Sequence, residues 1–427
     1  GSSNAAFSAQ ALDANTTGSS NTALGFNALS VNTTADNNTA VGRNALEVNT
    51  TGTQNTAVGT YSLDANTTGY NNTAVGYNSL SSNSTGIRNA AIGAHSCRTT
   101  TGSHNTGLGY ETLYNNTSGS ENIAVGAFCM DTNTTGQNNV GVGYAALDAN
   151  TTASNNTAIG SRALDANSTG GSNTAVGYNS MGANTTGYQN VAIGVQALDS
   201  NTTGENLVAI GFHALGSNTT NSGNVAVGAY AMEDNTSSNN TGLGYFALKE
   251  NTSGAQNCAV GASALTNNTT ADDNTAVGYA ALTANTTGAS LTACGHRALA
   301  SCTTGSYNTA FGRIALDTLT TGTQNIAIGY HAGGGITTGS ENICIGQDTG
   351  DDITTGSNCI VIGDNSDAGG TGTISHRIVL GNDIAGVGND YFVFGKSGNR
   401  VYNQFTSNAS WTRNSYVRLN KDIQTNT

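Results

Sequence analysis

A glycine preceded by a small residue and then an apolar one returns along this chain at a step of 17 residues: Gly25, Gly42, Gly59, Gly76 and Gly93, then Gly109 onward to Gly228, and Gly244 onward to Gly363. The only steps of 16 precede Gly109 and Gly244, and with Ser8 in the same register the chain carries 22 turns of the consensus N-T-A-V-G-Y-N-A-L-D-A-N-T-T-G-x-x. A unit this short cannot bury a core alone, so the chain must stack its repeats on one another. The uniform use of Gly, Asn, Thr and Ala from end to end, with 9% charged residues and no Pro, fits a repeat array and not a conventional enzyme. Disordered tracts are rich in Pro, Lys and Glu and lack regularly placed Val and Leu.

Two columns carry large apolar side chains. The residue before the glycine gives Val41, Val58 and Val75, and the fourth residue after it gives Leu46, Leu63 and Leu80. Met130, Met181, Met232 and Cys97 also fall in the second column. Both are expected to be core. Each unit holds Gly, Asn and paired Thr, which are poor helix formers, and no helical stripe persists. The spacing predicts an all-β parallel β-solenoid, a β-helix or β-roll, of about 22 17-residue coils with a C-terminal β-rich cap. In each coil N-T-A-V-G-Y is expected on one side, A-L-D-A as a second strand and N-T-T-G at the corner. Stacking then places like residues ~4.8 Å apart, with Asn ladders through Asn32, Asn49, Asn66 and Asn83 and through Asn21, Asn38, Asn55 and Asn72. The core per coil is thin, which favours self-association, and a homotrimer is expected.

The period fails after Gly363. Three regions are therefore expected: a repeat shaft over 1–363, a transition of degenerate coils over 364–395, and an aromatic neck over 396–427. Tyr391, Phe392, Phe394, Tyr402, Phe405, Trp411 and Tyr416 crowd the end, where a solenoid needs its last coil covered. The net charge of −13 offers no footprint for nucleic acid. No stretch reaches the ~18 apolar residues of a membrane span, so membrane insertion is not expected. Seven cysteines without a C-x-x-C pair read as free thiols of a reducing compartment, even though Cys294 and Cys302 fall within reach across one coil.

Units such as NTAVGYNSL and NTALGFNALSVNTTAD resemble the repeats of bacteriophage tail-fibre proteins, and the A-I-G strand is similar to the β-roll heads of trimeric autotransporter adhesins. The tail, FVFGKSGNRVYNQFTSNASWTRNSYVRLNKDIQ, resembles the junction leading into the intramolecular chaperone domain of endosialidase-type tail spikes. That resemblance implies a virion protein folded in the host cytoplasm, trimerised by its chaperone, bound to other tail or baseplate proteins and contacting a host glycan or protein receptor. It also implies a cut before Ser415 by a Ser–Lys dyad. Here Asn420 occupies the dyad lysine position and Lys421 stands one residue off, on the opposite face of an extended strand. An amide is no base, so self-cleavage is not expected.

Other chemistry is sparse. His95, His213 and His331 share the second position after the glycine but lie seven coils apart, and His104, His296 and His376 stand alone. No metal, cofactor or catalytic residue is expected. Asp13, Glu47, Asp64, Asp148, Asp165 and Asp199 form an acidic column read as a solvated edge. Tyr77, Tyr110, Tyr144, Tyr178, Tyr245, Tyr279 and Tyr330, with Phe26 and Phe212, recur just after the glycine. Exposed, they form a ladder for carbohydrate contact; otherwise they pack at a chain interface. The leading functional expectation is a structural, receptor-binding fibre. The alternatives are an extracellular microbial adhesin or filament subunit, and an ice-binding solenoid.

Overall fold

The computed structural model describes residues 1–370 and 374–406; Trp411, Ser415, Tyr416, Asn420 and Lys421 lie outside them, and with them the self-cleavage question. The fold is an all-β parallel solenoid of about 23 turns at 17-residue spacing, with no helix among the described residues. The chain forms two compact units, Gly1–Ala226 and Val227–Thr427.

Each coil of the first unit contributes one strand of three residues. Thr39–Val41 pairs in parallel with Thr56–Val58, so that Thr39 lies beside Thr56, Ala40 beside Ala57 and Val41 beside Val58. The same register holds from Ala5–Phe7 to Val208–Ile210. Side chains of a strand alternate between faces, and the middle alanine is the one turned inward: Ala40, Ala57 and Ala74 are fully buried. Val41 and Val75 are half-buried and Val58 is 36% exposed. The expected core column of Val41, Val58 and Val75 is therefore an outer column. The interior is too narrow for a branched side chain from the strand, because the leucine of the turn already fills it.

The glycine then turns the chain. Gly42 has φ +134, and a Cβ there would lie 2.5 Å from the carbonyl oxygen of Gly59 in the next coil, so only glycine fits the stack. The A-L-D-A segment is turn, not the second strand expected. Ala45 and Leu46 are neighbours and both fully buried, which a strand cannot arrange. Left-handed backbone at Asn44 (φ 58) and Leu46 (φ 51) brings both side chains inward. A leucine in that region is strained, and the stack holds it: Leu46 N–H donates to the Ser62 carbonyl of the next coil at 3.0 Å. Leu46, Leu63 and Leu80 are core.

Both asparagine ladders form, and they are interior. Asn49 Nδ2 donates to Asn32 Oδ1 at 3.1 Å and to the Gly52 carbonyl at 2.9 Å. In the other ladder Asn38 Oδ1 accepts the backbone N–H of Asn55 at 3.0 Å while Asn38 Nδ2 reaches the same Gly52 carbonyl at 2.9 Å. Buried amides are tolerable only when bonded, and repetition supplies the partners. The short step before Gly109 removes a residue at the Thr-Thr corner, where Thr100 takes the asparagine slot, and strand register survives: Ala90 faces Thr106.

In the second unit, stacking continues past Gly363. Ile378–Asn382 pairs in parallel with Ile360–Ile362, and Tyr391–Lys396 pairs in parallel with Ile378–Asn382. The irregular spacing is absorbed outside the strands. Asn399–Gln404 then folds back antiparallel on Tyr391–Lys396, so a hairpin lies along the last parallel strand. Val393 is buried, while Phe394, Tyr402 and Phe405 remain exposed.

Candidate functional site

The outward faces of the strands make the most extensive feature. Across the first unit the residue before the glycine runs Leu24, Val41, Val58, Val75, Ile92, Leu108, Val125, and so on to Ile210. Two residues earlier on the same face stand Thr22, Thr39, Thr56 and Thr73, then further on Ile123, Val140, Val191 and Val208. No charged residue enters either column. Ile92 is 44% exposed and Leu108 and Ile159 are similarly open. In the second unit the columns run from Thr241 and Leu243 to Ile360 and Ile362, with Phe311 the most open.

Past the glycine comes the aromatic column. All the expected members are exposed: Tyr77, Tyr110, Tyr144 and Tyr178 with Phe26 and Phe212 in the first unit, and Tyr245, Tyr279 and Tyr330 in the second. Within the first unit aromatics fall on every second coil from Tyr77 to Phe212, leaving gaps of about 10 Å along the stack. Between Tyr61 and Tyr144 the neighbouring column fills those gaps. Ring centroids run Tyr61–Tyr77 6.4 Å, Tyr77–His95 5.2 Å, His95–Tyr110 6.2 Å, Tyr110–Phe128 5.5 Å and Phe128–Tyr144 5.8 Å, every pair edge-to-face. Six rings thus brace one another while Tyr77, Tyr110 and Tyr144 keep about half their surface open. Sequence reasoning found the tyrosines, missed Tyr61 and Phe128, and read His95 as a scattered histidine; all three sit one residue later in their own coils.

The acidic column is not a freely solvated edge. Asp64, Asp148, Asp165 and Asp199 are half-buried, and Asp64 has an oxygen enclosed without a partner. Burial, with Glu47 adding, pushes the Asp64 carboxyl up to about 6. Burial raises Asp148, Asp165 and Asp199 in the same direction. Asp13 and Glu47 complete the column, Asp13 on the exposed first coil.

All seven cysteines are free. Cys97 and Cys129 are buried, and burial pushes both thiols up to about 12, so neither is a nucleophile near neutral pH. The fold does assemble one cluster that sequence reasoning missed, in the second unit: His331 Nδ1 lies 3.2 Å from Asp348 Oδ1 and 3.1 Å from Asp351 Oδ2. The signal was available, since Asp348 is one period after His331.

Comparison of the chain with family models, with curated proteins and with solved structures returns no match, so the functional reading rests on these faces alone.

Proposed function

We propose that the chain is a structural and surface-binding protein, the shaft of a homotrimeric extracellular fibre of the bacteriophage tail-fibre kind. Its apolar strand face packs on further copies of the chain, and its aromatic column contacts a glycan or protein on a host surface. The observation that carries this reading is the charge-free strip of outward Thr, Val, Ile and Leu. The 13 strands of the first unit make that strip about 60 Å long and roughly 10 Å wide, at the upper end of the largest patches that monomers usually expose, with threonine filling much of one column. A flat strip of short side chains suits close approach of an identical strip, and a thin core gains from being covered. The braced rings from Tyr61 to Tyr144 offer open aromatic surface at fixed spacing, as stacking on sugar rings requires.

A second reading is favoured by one observation. Thr22, Thr39, Thr56 and Thr73 stack in register on the open strand face, a regular hydroxyl and methyl array of the kind that orders water for ice binding. One experiment separates the two. Light scattering of the full chain at micromolar concentration is expected to report a trimer, and Val58→Lys with Ile92→Lys should dissociate it. A monomeric wild type that slows ice growth would replace the fibre reading with the second. Glycan binding lost in Tyr110→Ala, with the trimer intact, would separate the receptor face from the self-association face.

A further inference from the structure

We infer that His331, Asp348 and Asp351 form a binding site for a single divalent transition-metal ion, one that ties two successive coils of the second unit together. The inference is independent of the fibre reading. His331 is the second residue after Gly329, Asp348 holds the same place one coil later, and Asp351 follows on the turn of that later coil. One ligand atom from each lies within 4.8 Å of the others. Donors bonded at about 2.1 Å to one ion stand roughly 3.0 to 3.4 Å apart, and Nδ1 lies 3.2 Å from Asp348 Oδ1 and 3.1 Å from Asp351 Oδ2.

The local sequence breaks its own repeat to build this arrangement. The consensus L-D-A is Gly333-Gly334-Gly335 in this coil. A Cβ at Gly334 would lie 2.2 Å from His331 Nε2, so the imidazole lies across the place where other coils carry a side chain. The Asp348 carboxylate and the Asp351 backbone are also held. Gln347 Nε2 donates to Asp348 Oδ2 at 3.1 Å, leaving Oδ1 for the cluster. The Asp351 backbone N–H donates to Asp367 Oδ1 at 3.0 Å, while Asp351 Oδ1 is enclosed with no partner.

A neutral imidazole has one N–H to offer at Nδ1, and two carboxylate oxygens converge on that nitrogen. The cluster is thus over-supplied with acceptors, and carboxylate oxygens that share too few donors are costly. A cation bonded to all three atoms removes the imbalance. An imidazole nitrogen with two carboxylates suits zinc or a similar borderline ion better than calcium or magnesium, which prefer oxygen alone.

The test uses the full chain, stripped with a chelator and titrated with zinc chloride alone. Calorimetry should give one tight zinc per chain. His331→Gln and Asp351→Asn should each weaken binding at least about tenfold. His296→Gln, whose ring lies against Tyr279 and outside the cluster, should leave it unchanged. Because a misfolded variant would also lose zinc, the wild type carries a second readout: the imidazole nitrogen resonances of His331 should shift on adding one equivalent of zinc. Zinc affinity unchanged in His331→Gln, or His331 resonances that ignore zinc, would overturn the inference.

Discussion

The seventh residue after the glycine occupies one buried slot in successive coils, and two runs of coils, one in each unit, fill it in opposite ways. In the first unit the slot holds Asn32, Asn49, Asn66 and Asn83; in the second, from Gly295 to Gly346, it holds Cys302, Leu319, Ile336 and Ile353, and all eight are fully buried. The difference is explained by the corner carbonyl. Gly52 O accepts from both Asn49 and Asn38, so either amide alone would satisfy it. Where the slot turns apolar, the other ladder still serves: Asn325 Nδ2 donates to Gly339 O at 2.9 Å and Asn342 Nδ2 to Gly356 O at 2.9 Å. The slot accepts hydrocarbon because the backbone does not depend on it, whereas an amide placed there depends on amides above and below. The column is thus polar or apolar in runs.

The largest expected effect comes from breaking a run. Ile336→Asn gives up about 2 kcal/mol of apolar burial and encloses an amide oxygen without an asparagine neighbour to donate to it, for a total loss of roughly 4 kcal/mol. The reverse change is milder. Asn66→Ile leaves Asn49 Oδ1 without its donor, yet gains apolar burial that offsets most of the loss, leaving about 1 kcal/mol. Amide hydrogen exchange across each unit measures both, and equal losses would refute the redundancy of the corner carbonyl.

Much of this stacking was legible in the sequence, because in a parallel stack the period itself dictates who touches whom. Asn32 on Asn49 and Val41 on Val58 follow from counting 17 residues. What counting does not supply is direction. A three-residue strand such as Thr39–Val41 reads equally well with the valine inside, and only the volume taken by Leu46 decides for Ala40. The turn backbone was misread: A-L-D-A was expected as a strand, and the burial of both Ala45 and Leu46 in the structure is what excludes one. In the candidate site, the tyrosines just after the glycine were found because they repeat. His331 with Asp348 and Asp351 was missed because its residues occur together once, and a repeat average hides a single exception.

A smaller effect sharpens the contrast between units in how they trade volume. In the first unit the strand position shrinks where the turn grows: a Cβ on Gly141 would lie 2.5 Å from Cys129 Sγ and 3.0 Å from Met130 Cε of the preceding coil. In the second unit Gly242 repeats that exchange against Met232, where a Cβ would lie 2.8 Å from Met232 Cγ, and a later coil runs it the other way, with Cys344 on the strand and Gly350 on the turn, where a Cβ would lie 2.6 Å from Cys344 Sγ. Interiors packed to this density resist added methyl groups. Gly141→Ala should therefore cost about 1 to 3 kcal/mol, and Cys129→Ala in the same chain should recover much of it. Denaturant unfolding of the single and double variants checks the pair, and additive losses would show that the two sites do not share the space.

The smallest effect concerns the carboxylates that both units carry on the fifth residue after the glycine. In the first unit Asp131, Asp148 and Asp165 follow one another in successive coils, whereas in the second Ala300, Asp317, Gly334 and Asp351 alternate acid with no acid. Burial, then the charges of Asp148 and Glu111, push the Asp131 carboxyl up to about 6 from an ordinary 3.8. The folded chain therefore holds this proton more tightly than the unfolded chain. Stability is unaffected by the group below pH 3.8, falls as pH rises through the interval to about 6, and carries the full penalty above it. Asp131 is only half-buried, so solvent screening reduces the cost of its ionisation to about 1 kcal/mol at neutral pH. Asp131→Asn should accordingly stabilise the first unit at pH 7 and leave it unchanged at pH 3.5, read as local exchange protection in residues 125–150. A gain of equal size at both pH values would assign the effect to new amide contacts and not to relief of charge.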